Sequence, residues 1–402
     1  MKVVVIGGGA AGFFAAITAK EHYPKASVLI IEKSSQALSK VRISGGGRCN
    51  LTHAYESIST FCAAYPRGAN SLKKIFHSFS PPQTMKWFMD RGLDLVTQED
   101  GCVFPASQDA MSVVDLLIKN AEDLGISIQL NTKVLAIHKV EIGFKLELST
   151  KNDFNSDKII VTAGGSPSLS GLQWLKNLGH SIETPAPSLF TFNIPDDAVT
   201  RLMGIVIDEV VVAVNGTRLK ADGPLLITHW GMSGPAVLKL SAFGARWMFE
   251  HNYQFDIRVN WVGGKNETEV AVSLDQIMKV AAFRQMANYR PFDLPQRLWD
   301  FLLAKCTISF EKRWSDLSKK QFNQLVNCFT NDTYFVKGKT TFRDEFVTCG
   351  GISLRDVDMN SMQSKIIPNL YFAGEVLDID GITGGYNLQA AWSTGYVAGL
   401  LR

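Results

Sequence analysis

The first twelve residues constrain the fold more than any other part of this chain of 402 residues. A run of β-branched residues at 3–6 leads directly into Gly7, Gly9 and Gly12, which have the spacing G-x-G-x-x-G. An apolar, alanine-rich pattern typical of a helix follows. Glycine at these positions permits a tight turn, a close approach of the backbone to phosphate, and close packing of helix on strand. The pattern predicts a helix whose amino end faces the phosphates of a dinucleotide.

A second element of a dinucleotide site follows at the expected distance. Residues 27–32 are predicted to form the next parallel strand, which ends in Glu32, 20 residues after Gly12. A carboxylate at this position accepts hydrogen bonds from ribose hydroxyls and repels a 2′-phosphate. Glu32 therefore favours FAD or NAD over NADP as the bound nucleotide.

Composition limits the class of protein. Apolar residues make up 46% of the chain, which at this length allows two or three domains with large cores. The net charge of +3 comes from interspersed acids and bases, so we expect a small-molecule substrate and no nucleic-acid or membrane partner. The cysteines are far apart and form no C-x-x-C pair, which favours reduced thiols, no metal site and a cytoplasmic location. The oligomeric state stays open.

Changes in sequence pattern divide the chain into three regions. Strands and helices alternate up to about residue 185, strand-rich sequence with an Asn215-Gly216 turn follows, and helical periodicity comes next. A strand ending in Gly374-Glu375 and a glycine-opened apolar helix then return to the style of the amino terminus. The predicted domains are a discontinuous dinucleotide-binding domain at 1–186 and 346–402, a β-rich insert at 187–265 and 331–345, and a helical insert at 266–330.

The carboxyl-terminal segment, whose pattern repeats that of the amino terminus, distinguishes FAD from NAD. A flavin needs contacts for its ribityl chain and ring well beyond the first βαβ unit, and Glu375 is placed to bind ribityl hydroxyls. The helix opened by Gly384 and Gly385 is predicted to present its N–H groups to the pyrimidine end of a flavin, where the reduced form carries negative charge. We therefore expect FAD as the resident cofactor.

Four longer motifs carry a family resemblance. They are ISGGGRCN at 43–50, THWGMSGP at 228–235, LYFAGEVLD at 370–378 and GITGGYNLQ at 381–389. With these motifs the chain resembles, over essentially its whole length, the aminoacetone oxidase family of bacterial FAD-binding enzymes, which includes relatives described as bile-acid reductases. The resemblance implies an α/β fold with a glutathione-reductase-like Rossmann FAD domain, an inserted β-barrel-like domain, and a small helical domain within that insert.

The resemblance also implies FAD contacts at both glycine turns, at the ribose-binding acid, in the segment around residues 40–50, and at two strand ends. These candidate cofactor-binding residues are Gly7, Gly9, Ala10, Ala11, Gly12, Glu32, Lys33, Lys40, Arg42, Ser44, Gly45, Gly46, Gly47, Arg48, Cys49, Asn50, Val134, Ala163, Gly164, Gly374, Glu375, Gly384, Gly385, Tyr386, Asn387 and Leu388.

Residues 39–50 are predicted to form a loop in which three consecutive glycines let the backbone press against a planar ring. Arg42 and Arg48 carry charge that balances phosphate or reduced flavin, although simple solvation is an equal alternative for Lys40 and Arg42. The cysteine nearest in sequence to Cys49 is Cys62. A flavin–disulfide relay is therefore not expected, and inert packing of Cys49 is favoured over a redox role.

His229 is the candidate catalytic acid or base, because its pKa range suits proton delivery after hydride transfer. A structural histidine in a tight turn is an equal alternative. The chain holds no second G-x-G-x-x-G, so NAD(P)H is expected only as a transient co-substrate.

Three functional hypotheses remain. The leading one is an FAD-dependent oxidoreductase that passes a hydride from NAD(P)H to a small organic acceptor such as an enone. The second is an oxidase of small amines such as aminoacetone, with oxygen as acceptor. The third is a flavin-containing protein that modifies or binds RNA, and the modest net charge and missing basic stripe argue against it.

Overall fold

The computed structural model describes residues 1–151, 153–340 and 347–402. These residues form two compact units, one of residues 1–188 and 347–402 and the other of residues 189–340. The predicted boundary between residues 345 and 346 lies outside the described residues. Within the part that the structure describes, no helix has both the length and the apolar character needed to cross a membrane.

Helices and strands alternate along most of the described chain. The helices are α1 (Ala10–His22), α2 (Ser39–Gly47), α3 (Ile58–Cys62), α4 (Ala69–Ser78), α5 (Pro81–Met89), α6 (Ala110–Asp123), α7 (Gln173–Asn177), α8 (Pro235–Glu250), α9 (Glu267–Val280), α10 (Gln296–Lys305), α11 (Lys319–Thr330) and α12 (Tyr386–Gly399). The strands are β1 (Lys2–Ile6), β2 (Ser27–Ile31), β3 (Thr52–His53), β4 (Leu95–Thr97), β5 (Cys102–Pro105), β6 (Ser127–Gln129), β7 (Val134–Lys139), β8 (Phe144–Leu148), β9 (Phe154–Ser156), β10 (Lys158–Val161), β11 (Ile182–Ser188), β12 (Thr191–Asn193), β13 (Val206–Val214), β14 (Lys220–Thr228), β15 (Gly231–Ser233), β16 (Gln254–Asn260), β17 (Asp332–Lys337), β18 (Lys339–Thr340), β19 (Val347–Ile352), β20 (Val357–Asp358), β21 (Gln363–Ser364) and β22 (Leu370–Phe372).

The first unit is built on a sheet in the order β20-β21-β22-β10-β1-β2-β6. Strands β22, β10, β1, β2 and β6 run parallel, and β1 lies between β10 and β2. Residues 3–6 are buried, as a strand covered on both faces of a parallel sheet requires. The pairing of β22 with β10 explains why the carboxyl-terminal segment resembles the amino terminus, since it adds a strand to the sheet begun at residue 2.

Helix α12 packs against helix α1 within this unit. The contact is so close that a Cβ on Gly395 would lie 2.5 Å from the carbonyl oxygen of Ala11, and a Cβ on Gly399 would lie 2.5 Å from that of Ala15. The ring of Phe14 meets that of Trp392 at 4.8 Å. Helix-facing glycines thus let the first and last helices of the chain stabilise each other.

The second unit contains an antiparallel sheet in the order β17-β16-β13-β14-β15-β12-β18. Strands β13 and β14 form the hairpin predicted at Asn215-Gly216. Helices α9, α10 and α11 occupy the predicted helical region, where the buried Trp299 and Trp314 rings stack at 6.0 Å.

Candidate functional site

The first glycine turn joins β1 to α1, as predicted. Gly7 has φ +114°, and a Cβ there would lie 2.3 Å from the carbonyl oxygen of Thr162. A Cβ on Gly12 would lie 1.9 Å from the oxygen of Gly7, whereas one on Gly9 would meet no atom within 4 Å. Gly7 and Gly12 are therefore required by packing, and Gly9 leaves open space beside the turn.

The amino end of α1 is open to an anion. Gly9 is its N-cap residue, and neither a side-chain cap nor an acidic first-turn residue occurs there in the described structure. The amides of Ala10, Ala11 and Gly12 are too early in the helix to have intrahelical partners. These N–H groups and the helix dipole favour a phosphate at this position.

Thr162 is a residue of the turn that the sequence analysis missed. Its hydroxyl lies 2.8 Å from the carbonyl oxygen of Gly7 and 3.1 Å from that of Ile6, so it braces the turn from the end of β10. The adjacent Ala163-Gly164 pair, a candidate cofactor contact in the sequence analysis, was the signal that could have revealed Thr162. A Cβ on Gly164, which has φ +75°, would meet no atom within 4 Å. Val134, another candidate contact, is buried at the start of β7.

Glu32 is fixed to this turn by its own chain. Its Oε2 accepts from the amide of Gly8 at 2.7 Å. Its Oε1 accepts from the amide and the hydroxyl of Ser34 at 2.9 and 2.6 Å. A carboxylate accepts about four hydrogen bonds, so capacity remains for the ribose hydroxyl that the sequence analysis assigned to it. The neighbouring Lys33 is exposed.

The prediction that residues 39–50 form a loop was wrong for the first part of the segment, which is helix α2. Helix formation begins there because the amide of Arg42 donates to the carbonyl of Leu38. The helical geometry is lost from Ser44, where Gly45 and Gly46 adopt φ +59° and +67°. At Gly46 and Gly47 a Cβ would meet no atom within 4 Å, so these two glycines face open space.

The charged side chains of this segment are engaged within the first unit. Arg42 lies 3.0 Å from the Met111 sulfur, and the Arg48 guanidinium lies 4.3 Å from the Phe104 ring centroid. Lys40 Nζ lies 2.6 Å from Glu375 Oε2. The Lys40 side chain is still 54% exposed, so a cofactor contact and simple solvation both stay open for Lys40 and Arg42.

Cys49 and Asn50 have contrasting environments. Cys49 is fully buried, and burial raises its pKa to about 12, which fits a packing role rather than a thiolate. Asn50 Oδ1 is buried and has no hydrogen-bond partner among the described residues. It lies 2.8 Å from the position that a Cβ on Gly385 would take, so it is directed at the second glycine turn. An orphaned acceptor of this kind fits a ligand N–H group.

The second glycine turn opens α12. Gly384 and Gly385 have φ +112° and +91°, and a Cβ on Gly385 would lie 2.4 Å from the Thr52 carbonyl oxygen. In the described structure this helix end also has no side-chain cap and no acidic first-turn residue. The amides of Tyr386, Asn387 and Leu388 face outward from it, so both glycine turns present positive helix ends.

Side chains hold the second turn in place. The Asn387 side chain donates to the Gly381 carbonyl at 2.9 Å and accepts from its amide at 2.8 Å. Buried Gln389 donates to Thr84 at 2.7 Å and accepts from Thr52 at 2.5 Å. This satisfied network fixes the start of α12 before any ligand binds.

His53 is a further residue that the sequence analysis missed. Its Nδ1 donates to the carbonyl of Gly384 at 3.0 Å, and its ring stacks on Tyr386 at 4.7 Å. Burial lowers the pKa of His53 and raises the pKa of Tyr386 to about 12, so both rings are neutral near pH 7. No motif marks His53, because strand pairing of β3 with β5 brings it to the turn.

Glu375 lies after β22, next to the buried Gly374. Its Oε1 accepts from the amide of Thr348 at 3.0 Å. The hydroxyl of Thr348 is buried without a partner in the described residues. The amide of Gly374 donates to Thr394 of α12 at 2.9 Å. An elongated anionic cofactor such as FAD fits these features together. They are the open space beside the glycines, the unpartnered Asn50 Oδ1 and Thr348 hydroxyl, and the two uncapped helix ends.

His229 belongs to the second unit, between β14 and β15. The residue is exposed, and its ring meets that of Trp230 at 4.5 Å. The neighbouring Thr228 hydroxyl accepts from the amide of Gly231 at 3.1 Å, as in a tight turn. Its assignment as an acid or base remains a prediction.

Comparisons with known proteins agree on one family. The model of the HI0933-like protein Rossmann domain matches residues 1–401. The 3-dehydro-bile acid delta(4,6)-reductase of Clostridium scindens is 27% identical over 99% of this chain and 98% of its own length. A ribosomal RNA dihydrouridine synthase of Escherichia coli is 27% identical over 98% of this chain and 96% of its own length.

Solved structures agree on the fold. The 3-ketosteroid delta1-dehydrogenase from Sterolibacterium denitrificans matches with a TM-score of 0.52 and 12% identity over 99% of this chain and 98% of that one. A flavocytochrome c3 fumarate reductase matches with a TM-score of 0.50 and 16% identity over 100% of this chain and 77% of that one. The predicted α/β fold with a Rossmann FAD domain is confirmed.

Proposed function

The chain belongs to the HI0933-like protein Rossmann domain family and is an FAD-dependent oxidoreductase, and from that premise we propose that it reduces a carbon–carbon double bond conjugated to a carbonyl group. NAD(P)H would be the hydride donor. NAD(P)H plus a proton and the conjugated alkene give NAD(P)⁺ and the saturated carbonyl compound, so atoms and electrons balance.

The names of two relatives describe the same bond chemistry. A 3-dehydro-bile acid delta(4,6)-reductase acts on double bonds next to a ring ketone, and a dihydrouridine synthase adds two hydrogens across the uracil double bond next to a carbonyl. In each case the carbonyl makes the distant alkene carbon electrophilic, so hydride adds there and a proton adds beside the carbonyl. An enone acceptor therefore accounts for both names.

The observation that carries the FAD part of the proposal is the pair of uncapped, glycine-opened helix ends on α1 and α12 in one unit. When bound, FAD supplies the hydride transfer. The α1 turn would bind its phosphates, and Glu32 would orient the ribose. The α12 end would stabilise negative charge on a reduced ring, and Asn50 Oδ1 would accept a hydrogen bond there.

An anaerobic titration of the purified holoenzyme tests the electron donor. We expect NADH or NADPH to bleach the flavin absorption band, and a cyclic enone added afterwards to restore it. Bleaching by aminoacetone instead, with oxygen as the efficient acceptor and hydrogen peroxide as a product, would replace the proposal with the amine-oxidase alternative.

A further inference from the structure

Two cysteines that are far apart in sequence come together in the second unit. Cys306 directly follows the last residue of α10, and Cys328 lies in the last turn of α11. Both side chains are buried, and the thiol of Cys328 donates a hydrogen bond to the sulfur of Cys306. No sequence motif marks the two residues, so the fold alone brings them into contact. We call Cys306 and Cys328 the insert dithiol.

Contacts next to the insert dithiol hold α10 against α11. The ring of Trp299 in α10 stacks on that of Phe329 in α11, with the centroids 5.9 Å apart. At the end of α10, Lys305 forms an ion pair with the buried Asp332, the first residue of β17. Each cysteine is therefore the chain neighbour of a residue that takes part in one of these two contacts.

The insert dithiol lacks the further ligands of a metal site. Among the described residues, no group of three or more histidine, cysteine, aspartate and glutamate side chains is placed to hold a metal ion. The nearby carboxylate of Asp332 is bound by Lys305 and by the hydroxyl of Tyr334. Zinc and iron–sulfur sites in proteins use three or four such ligands. Two adjacent thiols fit the formation of a sulfur–sulfur bond better.

The two thiols differ in acidity. The hydrogen bond from Cys328 lowers the pKa of Cys306, and the ammonium group of Lys305 acts in the same direction. The same hydrogen bond, together with burial, raises the pKa of Cys328. Burial alone has the opposite effect on other cysteines, since it raises the pKa of Cys62 to about 11. Because the thiolate is the reactive form of cysteine, Cys306 is suited to attack and Cys328 to act as its neutral partner.

We propose that the insert dithiol is an oxidation site at which a small hydroperoxide, such as hydrogen peroxide, joins Cys306 to Cys328 in a reversible disulfide. Cys306 and Cys328 are 4% and 6% exposed, which favours a small oxidant over a protein or peptide disulfide. The bond ties the end of α10 to α11 and closes the segment between them into a covalent loop.

The reaction takes two steps. The Cys306 thiolate attacks one peroxide oxygen, the O–O bond breaks, and hydroxide leaves and takes up the proton that Cys306 had released. The Cys328 sulfur then attacks the Cys306 sulfenic acid, the S–O bond breaks, and a second water leaves with the Cys328 proton. Two thiols and one peroxide give one disulfide and two waters, so the sulfurs lose the two electrons that the oxygens gain.

The oxidation site is independent of the proposed enone reduction. Neither FAD nor NAD(P)H takes part in the two steps, so failure of one proposal leaves the other standing. All six cysteines are free thiols in this structure. The expectation of reduced thiols, drawn from the cysteine spacing, therefore describes the resting protein, and the disulfide forms only when a peroxide is present.

The test is a count of thiols in the holoenzyme before and after treatment with hydrogen peroxide, with mapping of the cross-linked peptides by mass spectrometry. We expect peroxide to remove two of the six thiols and dithiothreitol to restore both. Cys306→Ala and Cys328→Ala should each abolish the cross-link. Cys62→Ala is the matched control, because it removes another buried cysteine and should leave the cross-link intact.

Dimedone, which traps sulfenic acids, distinguishes the two sulfurs. After peroxide treatment, Cys306 should be labelled in Cys328→Ala, and Cys328 should stay largely unlabelled in Cys306→Ala. Equal labelling in the two variants would overturn the roles given to the two sulfurs. Six remaining thiols in the peroxide-treated wild type, or a disulfide that omits Cys306 or Cys328, would overturn the oxidation site itself. The wild-type peptide map gives this result even where a variant does not fold.

Discussion

The amino ends of α1 and α12 are alike in backbone and different in surroundings. Both begin at glycine without a side-chain cap. At the α1 end a Cβ on Gly7 or Gly12 would strike carbonyl oxygens, whereas one on Gly9 would meet no atom within 4 Å. The α12 end is lined by polar side chains, among them His53 and Asn50. We therefore expect the α1 end to bind phosphates, whose charge stays constant, and the α12 end to face a flavin ring, whose charge changes on reduction.

Substitution of Gly12 should be the most damaging change, because it disrupts the turn at the start of α1. Gly12→Ala places a methyl group 1.9 Å from the Gly7 oxygen and should destabilise the chain by about 3 kcal/mol through overpacking. We expect the variant to lose FAD on gel filtration and to melt at a lower temperature without cofactor. Gly9→Ala is the matched control, because its Cβ meets no atom within 4 Å. It should keep the stability of the apoprotein and lose FAD affinity alone.

A second substitution at the α1 turn, Glu32→Ala, tests the affinity for FAD. Glu32→Ala removes the acceptor of the Gly8 and Ser34 hydrogen bonds and the assigned ribose contact. Because hydrogen bonds to charged groups contribute about 1.5–3 kcal/mol, FAD binding should weaken about tenfold to hundredfold. Isothermal titration calorimetry of the apoprotein with FAD measures the change in dissociation constant. A variant that remains fully yellow after gel filtration would remove Glu32 from the site.

A substitution at the α12 end, Asn50→Asp, should have a smaller effect, on the midpoint potential of the flavin. Asn50→Asp adds a carboxylate beside the turn, where it opposes negative charge on reduced flavin. We expect the midpoint potential to fall by about 30 mV, which is about 1.4 kcal/mol for two electrons. Spectroelectrochemical titration measures the shift, and Glu32→Ala with saturating FAD is the control that should leave the potential unchanged. Equal potentials in the two variants would contradict the assignment of the α12 end to the ring.

The smallest effect is a pH dependence. Burial lowers the pKa of His53 below its ordinary value of 6.5. Between the lowered pKa and 6.5 the unfolded chain binds more protons, so stability is present above pH 6.5 and falls as the pH falls through this window. His53→Gln should flatten that dependence in urea unfolding. The pKa of His180 is also lowered by burial, so His180→Gln should flatten the dependence as well and gives an independent comparison. An unchanged pH profile in His53→Gln would contradict the burial of a neutral ring.

The α1 end was predictable from sequence, because its spacing and the distance to Glu32 are local. The hairpin at Asn215-Gly216 was predictable for the same reason. The α12 end was predictable only in part: its glycines show in the sequence, but His53 reaches it through the pairing of β3 with β5. Thr162 reaches the α1 turn in the same way, from the end of β10, which pairs with β1. Helix α2 was missed since three glycines hide the helical turn that precedes them.

The choice of electron acceptor distinguishes an enone reductase from an oxidase. Holoenzyme reduced anaerobically is mixed in a stopped-flow instrument with a cyclic enone or with the matched alkene that lacks the carbonyl. We expect rapid flavin reoxidation by the enone alone, with one equivalent of saturated ketone formed. Equal reoxidation by both compounds, or by neither while oxygen reacts rapidly, would contradict it.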